Sequence, residues 1–134
     1  MEENLPRERF SIVKRAKSFT HAGRGLWIFL RTTHNAWIHI CVLAVAVFLG
    51  WYFRIATFDW ALLIFAAGFV LTAEAFNTAI EIDMNLTSPE FHPFARDTKD
   101  VAAGAVLIAS LTAAAIGLLI FLPPLLTLIH SYTM

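Results

Sequence analysis

Apolar positions fall along this chain in three long runs separated by one short polar break and one longer polar stretch. The first, WIHICVLAVAVFLGWYF from Trp37 to Phe53, contains no Asp, Glu, Lys or Arg. After the hairpin RIATFD a second run starts at Trp60 and stays apolar as far as Thr72 and Ala73. The third extends from Val101 to Ile129. Upstream of these, Phe10, Val13 and Ala16, with Ile12 and Phe19 alongside, recur at helical spacing, while Lys14, Arg15 and Lys17 occupy much of the remaining surface. That pattern predicts an amphipathic helix over about 9–31 lying in a membrane interface, its basic residues near anionic headgroups. The three runs predict spans at about 36–55, 60–85 and 99–129. The fold class is therefore all-α integral membrane, one domain over 1–134: three transmembrane helices behind an N-terminal interfacial helix.

Local signals refine these elements. At ~1.5 Å per residue the first run is marginal for a hydrocarbon core of about 30 Å, and Ala36 and Ile55 extend it. Trp37, Trp51 and Tyr52 sit at its ends as interfacial anchors. His39 lies one turn inside and reads as a histidine bonded to a neighbouring helix. Gly23 and Gly25 are expected to break or tighten the chain ahead of LWIFLR. The second helix is expected to outrun the membrane to about Asn85, because Ser88-Pro89 is the first clear stop. SPEFHPFARDTKD reads as a loop, with Thr98 as N-cap of the third helix. Small residues Gly104, Ala105, Ala109 and Ala113 are expected to let neighbouring backbones approach, and Pro123-Pro124 to kink or end that helix.

The polar residues that matter lie where the second run ends. On a helix Glu74, Asn77, Thr78, Glu81 and Asn85 fall at i, i+3, i+4, i+7 and i+11 and share one face. Six of the ten acidic residues lie between Glu74 and Gly104. Ionisable groups this close to hydrocarbon are expensive and mark function by default. Two readings stand: a polar helix end in the headgroup zone, or a phosphate-and-metal site.

Composition supports lipid as the solvent. With 58% hydrophobic residues and a mean hydropathy of +0.67, a chain of 134 residues has more apolar surface than a small soluble domain can bury. A net charge of zero argues against nucleic acid as partner. Seven Lys/Arg precede the first span, only Arg54 lies in the first hairpin, and Arg96 and Lys99 lie between spans two and three. The positive-inside rule then puts the N-terminus and the 82–100 loop on the cytoplasmic side of the cell membrane, so the acidic stripe faces cytosolic nucleotide. Cys41, alone of its kind, reads as a packing residue. No GxxxxGK[ST] or GxGxxG occurs, so any ATP is handled without a standard nucleotide fold.

EAFNTAIE followed by HPFARDTKDVAAGAVLI resembles the signature of the prokaryotic diacylglycerol kinase and undecaprenol kinase family. SFTHAGRGL, NAWIH and the three-span layout extend the resemblance over most of the chain, and the PEFHP loop looks closer to the undecaprenol kinase branch. The resemblance implies a homotrimer that transfers the ATP γ-phosphate to a membrane lipid alcohol with Mg²⁺, undecaprenol ahead of diacylglycerol. Carried over by position, it implies Glu74 as general base, Asn77 as an orienting group, Glu81 as metal carboxylate, and Lys99 and Asp100 as the pair near the nucleotide phosphates. These types suit phosphoryl transfer, which needs positioning and charge stabilisation more than covalent help. Mg²⁺ takes one or two carboxylates and completes its shell with water and phosphate oxygens.

Two positions depart from the family pattern. Thr33, beside His34 and Asn35, stands where many members carry a second metal-binding glutamate, and Asn85 stands where aspartate is usual. Asp83 points about 200° around the helix from Glu81 and is no substitute, and His34 is a poor one for a metal that prefers oxygen. These departures keep open a catalytically weak or silent module of the same fold. A proton-coupled transporter fits less well, because Glu74 and Glu81 lie at a span's end rather than deep within one.

Overall fold

The computed structural model describes residues 11–133 and is helical throughout: α1 Ile12–Thr32, α2 His34–Phe53, α3 Thr57–Thr87 and α4 Pro93–Thr133. Three of these, α2, α3 and α4, are long and apolar enough to cross a membrane. The helix start expected at Arg9, and Phe10, lie outside the described residues. By helical rise α3 and α4 measure roughly 45 and 60 Å, against about 30 Å of hydrocarbon, so both extend past it.

The α2–α3 turn is tight. Arg54 takes a left-handed conformation (φ 50°), and Ile55 N–H returns to the Gly50 carbonyl at 3.1 Å, which closes the end of α2. The Asp59 carboxylate accepts from the Ala56 N–H at 3.3 Å and satisfies a donor at the start of α3. Gly50 is required by packing: a Cβ there would lie 2.8 Å from the Trp60 ring and 3.0 Å from Ile55 Cδ1. The indole of Trp37 donates to the Leu30 carbonyl at 2.9 Å and pins α2 to the end of α1.

Helix α3 packs most extensively on α4. Its buried apolar face is Leu63, Ala66 and Val70, and α4 contributes Ala102, Ala109 and Ile120. Most large apolar side chains point out of the chain, among them Phe48, Phe65, Leu107 and Leu119, as a lipid-facing surface requires. Among the described side chains of α1, Ile12, Phe19 and Trp27 are exposed and only Phe29 is buried. Its apolar face therefore has no partner within the described chain.

Several local expectations are corrected. Gly23 and Gly25 do not break α1, which is continuous; glycine lowers helix stability by only about 1 kcal/mol per residue. Thr98 is no N-cap: α4 already starts at Pro93, and the Thr98 hydroxyl donates to the Phe94 carbonyl at 2.8 Å from inside the helix. Proline at a first helical position has the right φ and lacks an N–H that would be unpaired anyway, so a residue that punctuates a loop can open a helix. Pro123-Pro124 does not end α4, which continues to Thr133. Of the four small residues on α4 only Ala109 is buried, and a Cβ on Gly104 would meet nothing within 4 Å. Cys41 is exposed, so it does not pack within the chain.

Gly50→Ala is expected to destabilise the purified protein by about 1–3 kcal/mol, since a methyl group is forced against a rigid ring. Adding Trp60→Leu should recover part of the loss, measured as thermal midpoints in detergent. An unchanged midpoint for Gly50→Ala would contradict the close approach.

Candidate functional site

The face of α3 that builds the core also builds the site. Leu63, Ala66 and Val70 are followed at the same helical spacing by Glu74, Asn77 and Thr78, all buried. Glu74 is 1% exposed, the largest fully buried side chain among the described residues. A carboxylate so buried needs a partner, and α2 supplies it: His39 Nε2 lies 3.3 Å from Glu74 Oε1. His39 is thus bonded to the neighbouring helix, as its position suggested.

Each neighbouring hydroxyl and amide has a definable role. The Thr78 hydroxyl donates to the Glu74 carbonyl at 2.9 Å, which commits its one proton. At the 2.8 Å contact between the Thr33 and Thr78 hydroxyls, Thr33 must therefore donate. Asn77 donates through Nδ2 to Glu81 Oε1 at 3.1 Å, and its own Oδ1 is buried without a hydrogen-bond partner. An orphaned buried acceptor is costly and calls for a ligand that binds oxygen.

These residues surround one cavity of about 330 Å³. Glu74, Asn77, Thr78, Glu81 and Asn85 line it from α3, and residues 32–35 line it from the α1–α2 junction. The structure thus brings together the whole stripe predicted from spacing and places Thr33 and His34 opposite. Glu81 is exposed at the open end, one helical stretch from buried Glu74.

Lys99 and Asp100 are placed differently. Both line a second recess of about 300 Å³ formed by the end of α3, the 88–92 loop and the start of α4. Asn85 lines both recesses, and Lys99 Nζ donates to its Oδ1 at 2.7 Å. Lys99 therefore reaches the border of the first cavity. Asp100 instead faces Arg96 at 3.5 Å, an exposed i,i+4 pair that contributes little to stability. Sequence reasoning assigned no role to the Asn85–Lys99 link or to the Thr33–Thr78 contact. The first was findable, because Asn85 lies on the stripe. The second joins residues 45 apart and left no local signal.

A third space, apolar and about 440 Å³, opens between α2, α3 and α4, with Val42, Ala46, Leu63 and Ala113 among its walls. It shares no residue with the polar cavity. His39 lines the apolar space and Glu74 the polar one, so their hydrogen bond lies where the two adjoin.

As a donor set, Glu81, the free Asn77 Oδ1 and the cavity hydroxyls are all oxygen, which fits a hard divalent cation that keeps several waters. Among the described residues no three His, Cys, Asp or Glu side chains cluster as a ready metal cage. His34 therefore does not complete such a cluster.

Comparison with known proteins gives a consistent answer. The family model described as prokaryotic diacylglycerol kinase matches residues 20–121. An undecaprenol kinase of Bacillus subtilis is 38% identical over 109 residues, covering 81% of this chain and 89% of that protein. A diacylglycerol kinase of Synechocystis is 33% identical over 112 residues, covering 83% of this chain and 64% of that longer protein. One from Helicobacter pylori is 31% identical over 106 residues, 74% of this chain and 83% of its own. No solved structure matches the chain significantly. A stripe of carboxylate, amide and carboxylate at the end of a membrane-length helix, the lysine beside it and a family match over most of the sequence lead to one conclusion: the chain belongs to the prokaryotic diacylglycerol kinase family, a family of lipid kinases.

Proposed function

We propose that this protein transfers the γ-phosphate of ATP to the hydroxyl of a membrane lipid alcohol, with undecaprenol favoured over diacylglycerol. The observation that carries the reading is the buried Glu74 carboxylate, set where an apolar space adjoins a polar cavity that opens toward Glu81. A lipid alcohol presents its hydroxyl from the hydrocarbon side, whereas ATP arrives from water. Undecaprenol is favoured because the undecaprenol kinase relative is the most similar of the three compared.

In this mechanism Glu74 accepts the proton of the lipid hydroxyl as it attacks phosphorus. Glu81 lies seven residues along α3, about 10 Å further from the apolar space by helical rise, and meets the nucleotide end of the reaction. Glu81 and Asn77 Oδ1 are the residues to hold Mg²⁺, which when bound would neutralise charge on the phosphate oxygens. Lys99 supplies a positive charge to the phosphates from its perch on Asn85, and Asp100 borders the same nucleotide recess. Asn85 in place of an aspartate accepts a hydrogen bond from Lys99 without neutralising it, which leaves the lysine's full charge for phosphate.

The same proposal includes the assembly. On α4 the exposed Ala105 and the uncrowded Gly104 suit close packing against further copies, and three copies make the expected homotrimer. Helix α1 lies on the cytoplasmic surface of the cell membrane, its exposed Phe19 and Trp27 in lipid and its Lys17 and Arg24 toward headgroups. The N-terminus and the α3–α4 connection at 88–92, with the helix ends that flank it, share the cytoplasmic side.

Purified protein with labelled ATP and Mg²⁺ is expected to label undecaprenol more strongly than diacylglycerol in mixed micelles, and native mass measurement of that sample should give three chains. Label on neither lipid, with a known kinase active in parallel, would favour the silent module. Glu74→Gln should lower turnover by about 10²–10⁴-fold with ATP affinity retained, whereas Glu81→Gln should raise the Mg²⁺ needed for half-maximal rate. Near-normal turnover in Glu74→Gln would reduce Glu74 to a polar helix end. Single cysteines at Lys17 and Glu90, in a Cys41→Ser background, should react with an impermeant thiol reagent only after cells are opened. A cysteine at Ile55 should react in cells whose outer face is accessible; the reverse pattern would invert the topology.

A further inference from the structure

We infer that His39 is the positioning residue of Glu74: its Nε2–H fixes the Glu74 carboxylate through Oε1 and leaves Oε2 for the acceptor hydroxyl. The inference rests on the reading of Glu74 as general base. Three observations carry it. First, the His39–Glu74 contact at 3.3 Å is the hydrogen bond that the Glu74 carboxylate makes among the described residues, although Glu74 is the most completely buried large side chain there. A glutamate has three rotatable bonds and two equivalent oxygens, so one fixed oxygen selects both its rotamer and its working face.

Second, Glu74 is held at both ends. The Thr78 hydroxyl bonds its main-chain carbonyl, and Thr33 bonds Thr78 in turn, so the backbone is tied to the α1–α2 junction. His39 ties the carboxylate to α2 itself. The base is thus referenced to two elements besides its own helix, as a group that must meet a substrate atom within a few tenths of an ångström needs to be.

Third, the pair stands where the apolar space and the polar cavity adjoin. His39 borders only the former and Glu74 only the latter. Ionisable side chains are absent from the other walls of the apolar space, where Ser110 is the one further polar side chain. A structural histidine could be satisfied by a backbone carbonyl at lower cost than a buried carboxylate. Pairing it with Glu74 uses one ring N–H to hold the carboxylate while the same side chain lines the space from which a lipid hydroxyl arrives.

The test uses the full-length protein in mixed micelles with a lipid alcohol that the unaltered enzyme phosphorylates. Glutamine places an amide N–H near the histidine Nε2 position, asparagine places one near Nδ1, and leucine places none. His39→Leu and His39→Asn should each lose about 10- to 100-fold in kcat with KM for ATP and lipid within about twofold. His39→Gln should stay within about threefold of the unaltered kcat. His39→Leu combined with Glu74→Gln should be no slower than Glu74→Gln alone, because a positioning residue has nothing left to position. Equal kcat in the glutamine and asparagine variants, a loss confined to lipid KM, or additive losses in the double variant would each overturn the inference. The glutamine–asparagine comparison decides even if the leucine variant fails to fold. A large loss in Glu74→Gln with no loss in His39→Asn sinks this inference alone. Retained turnover in Glu74→Gln, or no phosphorylated lipid with any substrate, sinks the base reading and this inference with it.

Discussion

Burying a carboxylate beside hydrocarbon is the constraint around which this protein is arranged. Left unpaired there, the charge would cost several kcal/mol, more than most single packing interactions return. The chain meets that cost with a histidine from the adjacent helix at 3.3 Å and with α3 packed so that Glu74 continues its apolar core face. Close contact of α2 with α3 is therefore needed for more than packing. Gly50 lets the helices meet through the Trp60 ring at one end, and His39 meets Glu74 toward the other.

A polarity gradient along one helix face follows from that arrangement. Leu63, Ala66 and Val70 are dry core, Glu74 and Asn77 are buried but polar, and Glu81 and Asn85 are exposed. Phosphoryl transfer between a lipid and a soluble nucleotide needs such a gradient, because the two substrates enter from opposite solvents. The orphaned Asn77 Oδ1 lies in the middle of it. An acceptor left unpaired beside an exposed carboxylate is an energetic debt that an incoming cation or donor would remove.

The departures from the family pattern take on a local meaning in the structure. Thr33 forms a hydroxyl bridge to Thr78 where a second carboxylate was expected, so that corner of the cavity is hydrogen-bonded and uncharged. Asn85 accepts from Lys99 at 2.7 Å and couples the recess at the start of α4 to the stripe. An aspartate there would form an ion pair with the same lysine, and part of the lysine's charge would be spent on it.

The three membrane-length helices and the stripe from Glu74 to Asn85 were legible in the sequence. Each depends on periodicity within one element, which helical geometry makes local: i, i+3 and i+4 share a face wherever the helix lies. Element ends were less legible. Pro93 opens α4 and Pro123-Pro124 fails to close it, because a proline's effect depends on which N–H groups would otherwise be paired. The partners of the stripe were legible only in outline: position suggested that His39 bonds a neighbouring helix, but not which residue it meets. His39 to Glu74 and Thr33 to Thr78 join residues 35 and 45 apart, Lys99 to Asn85 14 apart, and only the packing of α2 and α4 against α3 sets those distances. Spacing on one helix determined which side chains could act together. The tertiary fold alone decided which of them are buried and bonded, because burial and partner distance are properties of helix against helix.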